Sequence, residues 1–105
     1  MNCREKWLNL LTICRKAGKL VMGFDPAKEE ILAGRAAGVF VTGDASPRTK
    51  KEVRFFCTRE NVPVQELDSV SMEDIANAVG RKAGVLAICD KGFAKRLIEL
   101  SEDMD

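Results

Sequence analysis

The sequence predicts an α/β domain in which a largely parallel or mixed sheet is covered by helices on both faces. Two runs, Gly38-Val39-Phe40-Val41-Thr42 and Val85-Leu86-Ala87-Ile88-Cys89, are short and apolar throughout, as strands buried on both faces are. Segments with apolar residues at helical spacing separate the strand-like runs. Caps, prolines and glycines mark where those segments start and stop.

The elements follow in order. Asn2 with Glu5 three residues on reads as a helix start of capping-box type. Cys3, Trp7, Leu10, Leu11 and Cys14 form its inner stripe, Leu8 and Ile13 flank it, and Gly18 stops it. Lys19-Leu20-Val21-Met22-Gly23 reads as a brief strand. Asp25-Pro26 predicts the next helix, with aspartate as cap and proline in the first turn. Ala27, Ile31 and Leu32 would face inward, and Gly34 would end it. Residues 38–42 form a buried strand, and Ser46-Pro47 opens a helix with Thr49, Val53, Phe56 and Cys57 inward and Asn61 as its stop. Val62 to Leu67 reads as a strand in which Pro63 marks an edge or a start. Ser71 with Asp74 caps a helix carrying Ile75, Ala76 and Val79 and closed by Gly80. After the strand 85–89, Asp90 caps a last helix carrying Phe93, Leu97, Ile98 and Leu100. The acidic end, 101–105, is expected to fray.

A chain of 105 residues suits one domain, 1–105, large enough for a core without staples. Its 46% hydrophobic and 31% charged residues are ordinary for a soluble protein. No apolar run reaches a membrane span, and Met1 to Lys6 lacks a signal-peptide core, so a cytoplasmic protein is expected. Cys3, Cys14, Cys57 and Cys89 are far apart, with no CxxC pair and no histidine anywhere. That pattern argues against a zinc site and for buried, reduced thiols. The missing histidine also removes the commonest general base, and no nucleophile elbow, P-loop or dinucleotide fingerprint is present, so no enzyme is expected.

The net charge of +1 hides an uneven distribution. Residues 1–60 hold twelve bases against seven acids, 61–80 four acids and no base, 81–96 five bases against one acid, and 97–105 four acids. Such alternation fits a basic face and an acidic face, or a well-solvated mixed surface. The most telling stretch is Arg15-Lys16-Ala17-Gly18-Lys19 followed by Gly23-Phe24-Asp25-Pro26. It sets cations, an aromatic ring and a helix N-terminus within a few residues, one way a small fold presents a surface to nucleic acid.

Further segments extend this pattern: Gly34, Val39-Phe40-Val41, Asp44-Ala45-Ser46, Asn61-Val62-Pro63-Val64, Ala78-Val79-Gly80-Arg81, Val85 to Ile88 and Asp90-Lys91-Gly92-Phe93-Ala94-Lys95. In this order and spacing, from Trp7 to Leu100, the chain resembles the ribosomal-protein family that binds kink-turn RNA, the L-seven-A-e and L-thirty-e family. The likeness is greatest to its short bacterial, ribosome-associated branch. The resemblance implies a three-layer α/β/α sandwich around a small mixed four-stranded sheet. It also implies an RNA site on the loop after the first short strand and on the helix that follows.

The family's pattern there is glycine, a variable residue, asparagine, glutamate, and a lysine three positions beyond the glutamate. Gly23 matches, but Asp25 replaces the asparagine, Pro26 the glutamate and Glu29 the lysine. Lys28 lies about 100° around the helix from the expected cation. Met72 stands where some relatives carry a second lysine, and Val70 and Met72 could pack on an unstacked base. Weakened readout follows, since lost cations and added carboxylates disfavour phosphate.

The expected RNA-binding residues are Lys16, Lys19, Gly23, Phe24, Asp25, Lys28, Val70, Met72, Arg81 and Lys82. Lys16 and Lys19 either contact phosphate or complement a helix C-terminus. Asp25 is either a base-edge acceptor or simply a cap, and Phe24 either a stacking ring or a loop anchor. Arg48, Lys50, Lys51 and Arg54 read as a solvated helix face. The expected protein is a monomer without metal, cofactor or small-molecule substrate, partnered by structured RNA and, as further candidates, ribosomal proteins. The alternative is a protein-interaction module that keeps the sandwich and has lost RNA affinity.

Overall fold

The computed structural model describes residues 1–104. Its elements run α1 (Cys3–Lys16), β1 (Leu20–Met22), α2 (Phe24–Leu32), β2 (Gly38–Thr42), α3 (Pro47–Arg59), β3 (Val64–Leu67), α4 (Met72–Val79), β4 (Val85–Ile88) and α5 (Lys91–Glu102). The four strands lie in the order β1-β4-β2-β3. β4 is antiparallel to both neighbours and β2 is parallel to β3, so the sheet is mixed, as expected.

Alternation along the strands builds two cores, because successive side chains leave a strand on opposite faces. Phe40, Leu86 and Ile88 join Trp7, Leu11, Cys14, Ile75, Leu97 and Leu100 from α1, α4 and α5. Val39, Val41, Val85 and Ala87 join Ala27, Ile31, Val53 and Cys57 from α2 and α3. This is the three-layer sandwich. Trp7 and Phe40 meet edge to face, 5.2 Å between centroids, at the centre of the first core.

The cap signals translate directly into helix ends. Asn2 accepts from the Glu5 N–H at 2.8 Å, and Ser46 accepts from Thr49 at 3.1 Å. Ser71 and Asp74 form a reciprocal capping box at 3.1 and 2.9 Å. Asp90 accepts from Phe93 at 2.9 Å.

Several boundaries differ from the sequence reading, among them β1, which spans Leu20–Met22 rather than 19–23, and β4, which ends at Ile88 rather than Cys89. β3 begins at Val64 rather than Val62, because Pro63 has no N–H to donate, although its carbonyl still accepts from Val39 at 2.9 Å. α2 begins at Phe24, upstream of the expected start. α5 continues through Ser101 and Glu102, inside the segment expected to fray. Leu100 is buried there, the Ser101 hydroxyl donates to the Ile98 carbonyl at 2.7 Å, and Met104 packs on the first core. Asp105, the last residue of that segment, lies outside the described residues.

Candidate nucleic-acid interface

Because β4 opposes the other three strands, the carboxyl ends of β1, β2 and β3 meet the start of β4 at one end of the sheet. Open α/β sheets place their ligands outside the carboxyl ends of strands. Four connections crowd onto this rim.

The first is the turn from β1 into α2. Gly23 sits at φ 105°, ψ 154°, a region that residues with a β-carbon scarcely enter. Its N–H donates to the Val85 carbonyl at 2.9 Å, and its own carbonyl accepts from Ala27 at 3.0 Å. Gly23 is therefore the cap of α2, which corrects the expected cap at Asp25. Glycine's dihedrals let the chain pass straight from strand to helix, so Asp25 and Pro26 become the second and third helical residues. No side chain caps this helix. The amides of Phe24 and Asp25 stand at the positive end of its dipole, while Pro26 has none to offer.

The other connections are fastened to one another. Gly43 donates to the Val70 carbonyl at 3.0 Å. A β-carbon on Gly43 would lie 2.8 Å from the Asp68 carbonyl oxygen, so only glycine lets the two loops touch. The Asp44 carboxylate accepts from the Met72 N–H at 3.0 and 3.3 Å, adding to the cap of α4. The Lys50 ammonium donates to the Gly43 carbonyl at 2.8 Å. A β-carbon on Gly84 would come within 3.3 Å of both the Met72 sulfur and the Thr42 hydroxyl. Sequence reasoning assigned Gly43, Asp44 and Gly84 no role. Asp44 reaches a partner 28 residues away, and no local signal reveals such a contact.

The expected residues divide into three groups. Gly23, Asp25, Lys28, Arg81 and Lys82 belong to the rim or its margin. Arg81 and Lys82 are exposed on the connection that returns to Val85, the residue bonded to Gly23. Lys28 is half-buried and turns toward α3, its ammonium 4.6 Å from the centre of the Phe56 ring. Val70, Phe24 and Met72 are structural. Val70 is 1% exposed, so it offers no surface to a base. Phe24 is half-buried against the second core, which makes it the loop anchor of the two readings. Met72 is half-buried with its N–H held by Asp44.

Lys16 and Lys19 are exposed but sit at the other end of β1, where the Lys19 carbonyl accepts from Cys89 at 2.8 Å. Four residues of extended chain, about 13 Å, separate Lys19 from Gly23. The single edge expected from Lys16 to Lys82 is thus split by the length of β1. Arg15 links the two parts, since its guanidinium donates to the Val79 carbonyl just before Gly80 and Arg81.

Charge on the rim is mixed. Asp25, Asp44, Asp68 and Glu73 are exposed on or next to the other three connections, while Arg81 and Lys82 stand on the connection from α4 to β4. Asp74, beneath them, is held below the usual carboxylate range by the Arg4 guanidinium at 2.7 Å and by the Ser71 N–H. Burial pushes the Cys14 and Cys57 thiols up to about 11, which makes them poor nucleophiles. Among the described residues no cluster of histidine, cysteine and carboxylate side chains could hold a metal ion. No helix among them is long and apolar enough to cross a membrane.

Comparison with known proteins places this rim in context. Residues 5–98 match the model of the ribosomal protein L7Ae/L30e/S12e/Gadd45 family. The chain belongs to this family. An RNA-binding protein YlxQ of Enterococcus faecium is 38% identical over 99 residues, 94% of either chain. That of Bacillus subtilis is 36% identical over 96 residues, 90% of this chain and 94% of its own. The family member described here therefore falls in its short bacterial branch. A Bacillus halodurans protein of unknown function superposes with a TM-score of 0.87 at 26% identity, covering 92% of this chain and 97% of its own. The Giardia lamblia 15.5kD RNA binding protein shares the fold, with a TM-score of 0.77 at 19% identity, over 95% of this chain and 85% of its own.

Proposed function

We propose that this protein binds folded, kink-turn-like RNA at the rim formed by the β1–α2 turn and the α4–β4 connection. One observation carries the reading. The hydrogen bond from Gly23 to Val85 sets the start of α2, which no side chain caps, beside the loop bearing Arg81 and Lys82. The relatives named as RNA-binding proteins support it.

Arg81, Lys82 and Lys28 supply cations for phosphates, and the free amides of Phe24 and Asp25 supply donors at a helix N-terminus. Base reading is sparse. Asp25 can accept but not donate, Pro26 reads nothing, and Glu29 opposes phosphate. Shape and charge therefore dominate over sequence. The protein acts without catalysis, as a cytoplasmic, ribosome-associated monomer.

Gel-shift titrations against a kink-turn RNA at two salt concentrations test this. The double substitution Arg81→Ala, Lys82→Ala is expected to weaken binding to all kink-turn sequences alike. It should lower the slope of log affinity against log salt by about 2. No binding at low salt, or binding indifferent to salt, would remove the proposal.

A further inference from the structure

The outer face of α3 is the least explained surface of the molecule. The helix carries five bases, Arg48, Lys50, Lys51, Arg54 and Arg59, against the single acid Glu52. On the same helix Phe55 is 59% exposed, alone among aromatic residues in standing so far into solvent. Its ring meets Phe56 edge to face at 5.3 Å. The Arg59 guanidinium lies 5.7 Å from the Phe55 ring centre and 5.5 Å from that of Phe56. Lys28 approaches Phe56 from α2.

Beside these rings runs an open groove of about 440 Å³, lined by Lys28, Arg48, Lys51, Glu52, Phe55 and Phe56. A shallower apolar surface continues from Phe55 past Thr58 to Arg59. Three of the arginines have acid partners: Arg48 with Glu52 at 3.1 Å, Arg59 with Glu60 at 3.2 Å, and Arg54 with Glu66. These pairs are solvent-exposed and readily exchanged for other anions. Among the described residues Lys28 and Lys51 belong to no ion pair.

We propose that this face binds a single-stranded segment of RNA, with one base stacked on Phe55 and the flanking phosphates held by Lys51, Arg48 and Arg59. Single strands are held in this way, by an aromatic platform inside an electropositive groove, without need of a base-edge code. The exposed Phe55 ring among these cations favours RNA, because every nucleobase has a planar face to stack on it and a phosphate beside that face. Continuity with the rim adds to the argument. Lys28 lies five helical residues, about 7.5 Å of rise, beyond Gly23. A strand leaving a folded RNA on the rim would pass Lys28 and arrive at the groove. The inference rests on the RNA-binding reading, but apart from Lys28, which borders both surfaces, it concerns different residues.

Fluorescence anisotropy with the full chain tests it. Three labelled probes are needed: a blunt kink-turn duplex, the same duplex with a six-adenosine overhang, and free hexa-adenosine. The overhang is expected to tighten binding about five- to tenfold. Phe55→Ala should abolish that gain and leave blunt-duplex binding unchanged, whereas Phe55→Trp should retain it. Lys51→Glu should reduce it. Equal affinity for blunt and extended duplexes would overturn the inference and leave the rim proposal standing. Hexa-adenosine bound through Phe55, with no binding of the blunt duplex, would do the reverse. Displacement of hexa-adenosine by polyglutamate as effectively as by unlabelled RNA would overturn it in favour of an acidic protein partner.

Discussion

The rim and the outer face of α3 are built on opposite plans. The rim is made of backbone. Gly23 turns on a dihedral reserved for glycine, Gly43 admits a neighbouring carbonyl, and loops distant in sequence are tied by N–H groups to Val85, Val70 and Asp44. Its charges nearly offset one another. The α3 face is made of side chains on one regular helix, strongly basic and interrupted by an exposed ring. The first has shape with little net charge; the second has charge and stacking surface with little shape. Shape confers discrimination among folded RNAs, and charge with stacking confers affinity that any single strand can use.

Substitutions can break one region and leave the other intact. The largest effect is expected for Gly43→Ala. Its β-carbon would press on the Asp68 backbone, which cannot give way as a flexible side chain would. Urea unfolding should show a loss of about 3 kcal/mol. At temperatures where the variant is folded, duplex binding should fall further than hexa-adenosine binding. Gly23→Ala comes next, with an expected loss of about 2 kcal/mol from the strained dihedrals, and the same asymmetry in binding. Asp44→Ala should cost about 1 kcal/mol, the usual value of a helix cap, read as a shift in the urea midpoint at constant slope. If duplex binding survives all three, the rim is not where shape is read.

The smallest effect is titrimetric. Asp74 has a lower pKa folded than unfolded, chiefly because Arg4 donates to it. Its contribution to stability is therefore present above its ordinary value of 3.8 and lost as pH falls through the depressed folded value. Thermal melts of wild type and Asp74→Asn should differ at neutral pH and converge in strong acid. A gap that persists there would mean that the rim's underside is held by something other than this ion pair.

The element order, the caps at Asn2, Ser46, Ser71 and Asp90, and most of both cores were legible in the sequence, although Leu32, expected to face inward, is 43% exposed. Caps act within three residues, and burial on a strand alternates with period two, so both leave local traces. Val70 shows where locality fails. It reads as a loop residue open to a base, yet it is buried because Gly43, 27 positions earlier, draws its loop down onto the sheet. Lys16 and Lys19 show the converse. They lie near Gly23 in the chain but at the other end of β1 in space, because a strand carries the chain forward by about 3.3 Å per residue. Phe55 lies off the inner stripe that Phe56 joins, and no local signal marks it as a stacking ring.

Short-range physics, then, accounts for which segments became helices or strands, where most of them end, and which helix and strand faces turned inward. Long-range pairing accounts for the rest: the antiparallel insertion of β4 between β1 and β2, the meeting of four loops at one sheet end, and the separation of the basic residues into distinct surfaces. Strand order and loop contact depend on residues tens of positions apart, and no spacing within a helical turn or a pleat records them.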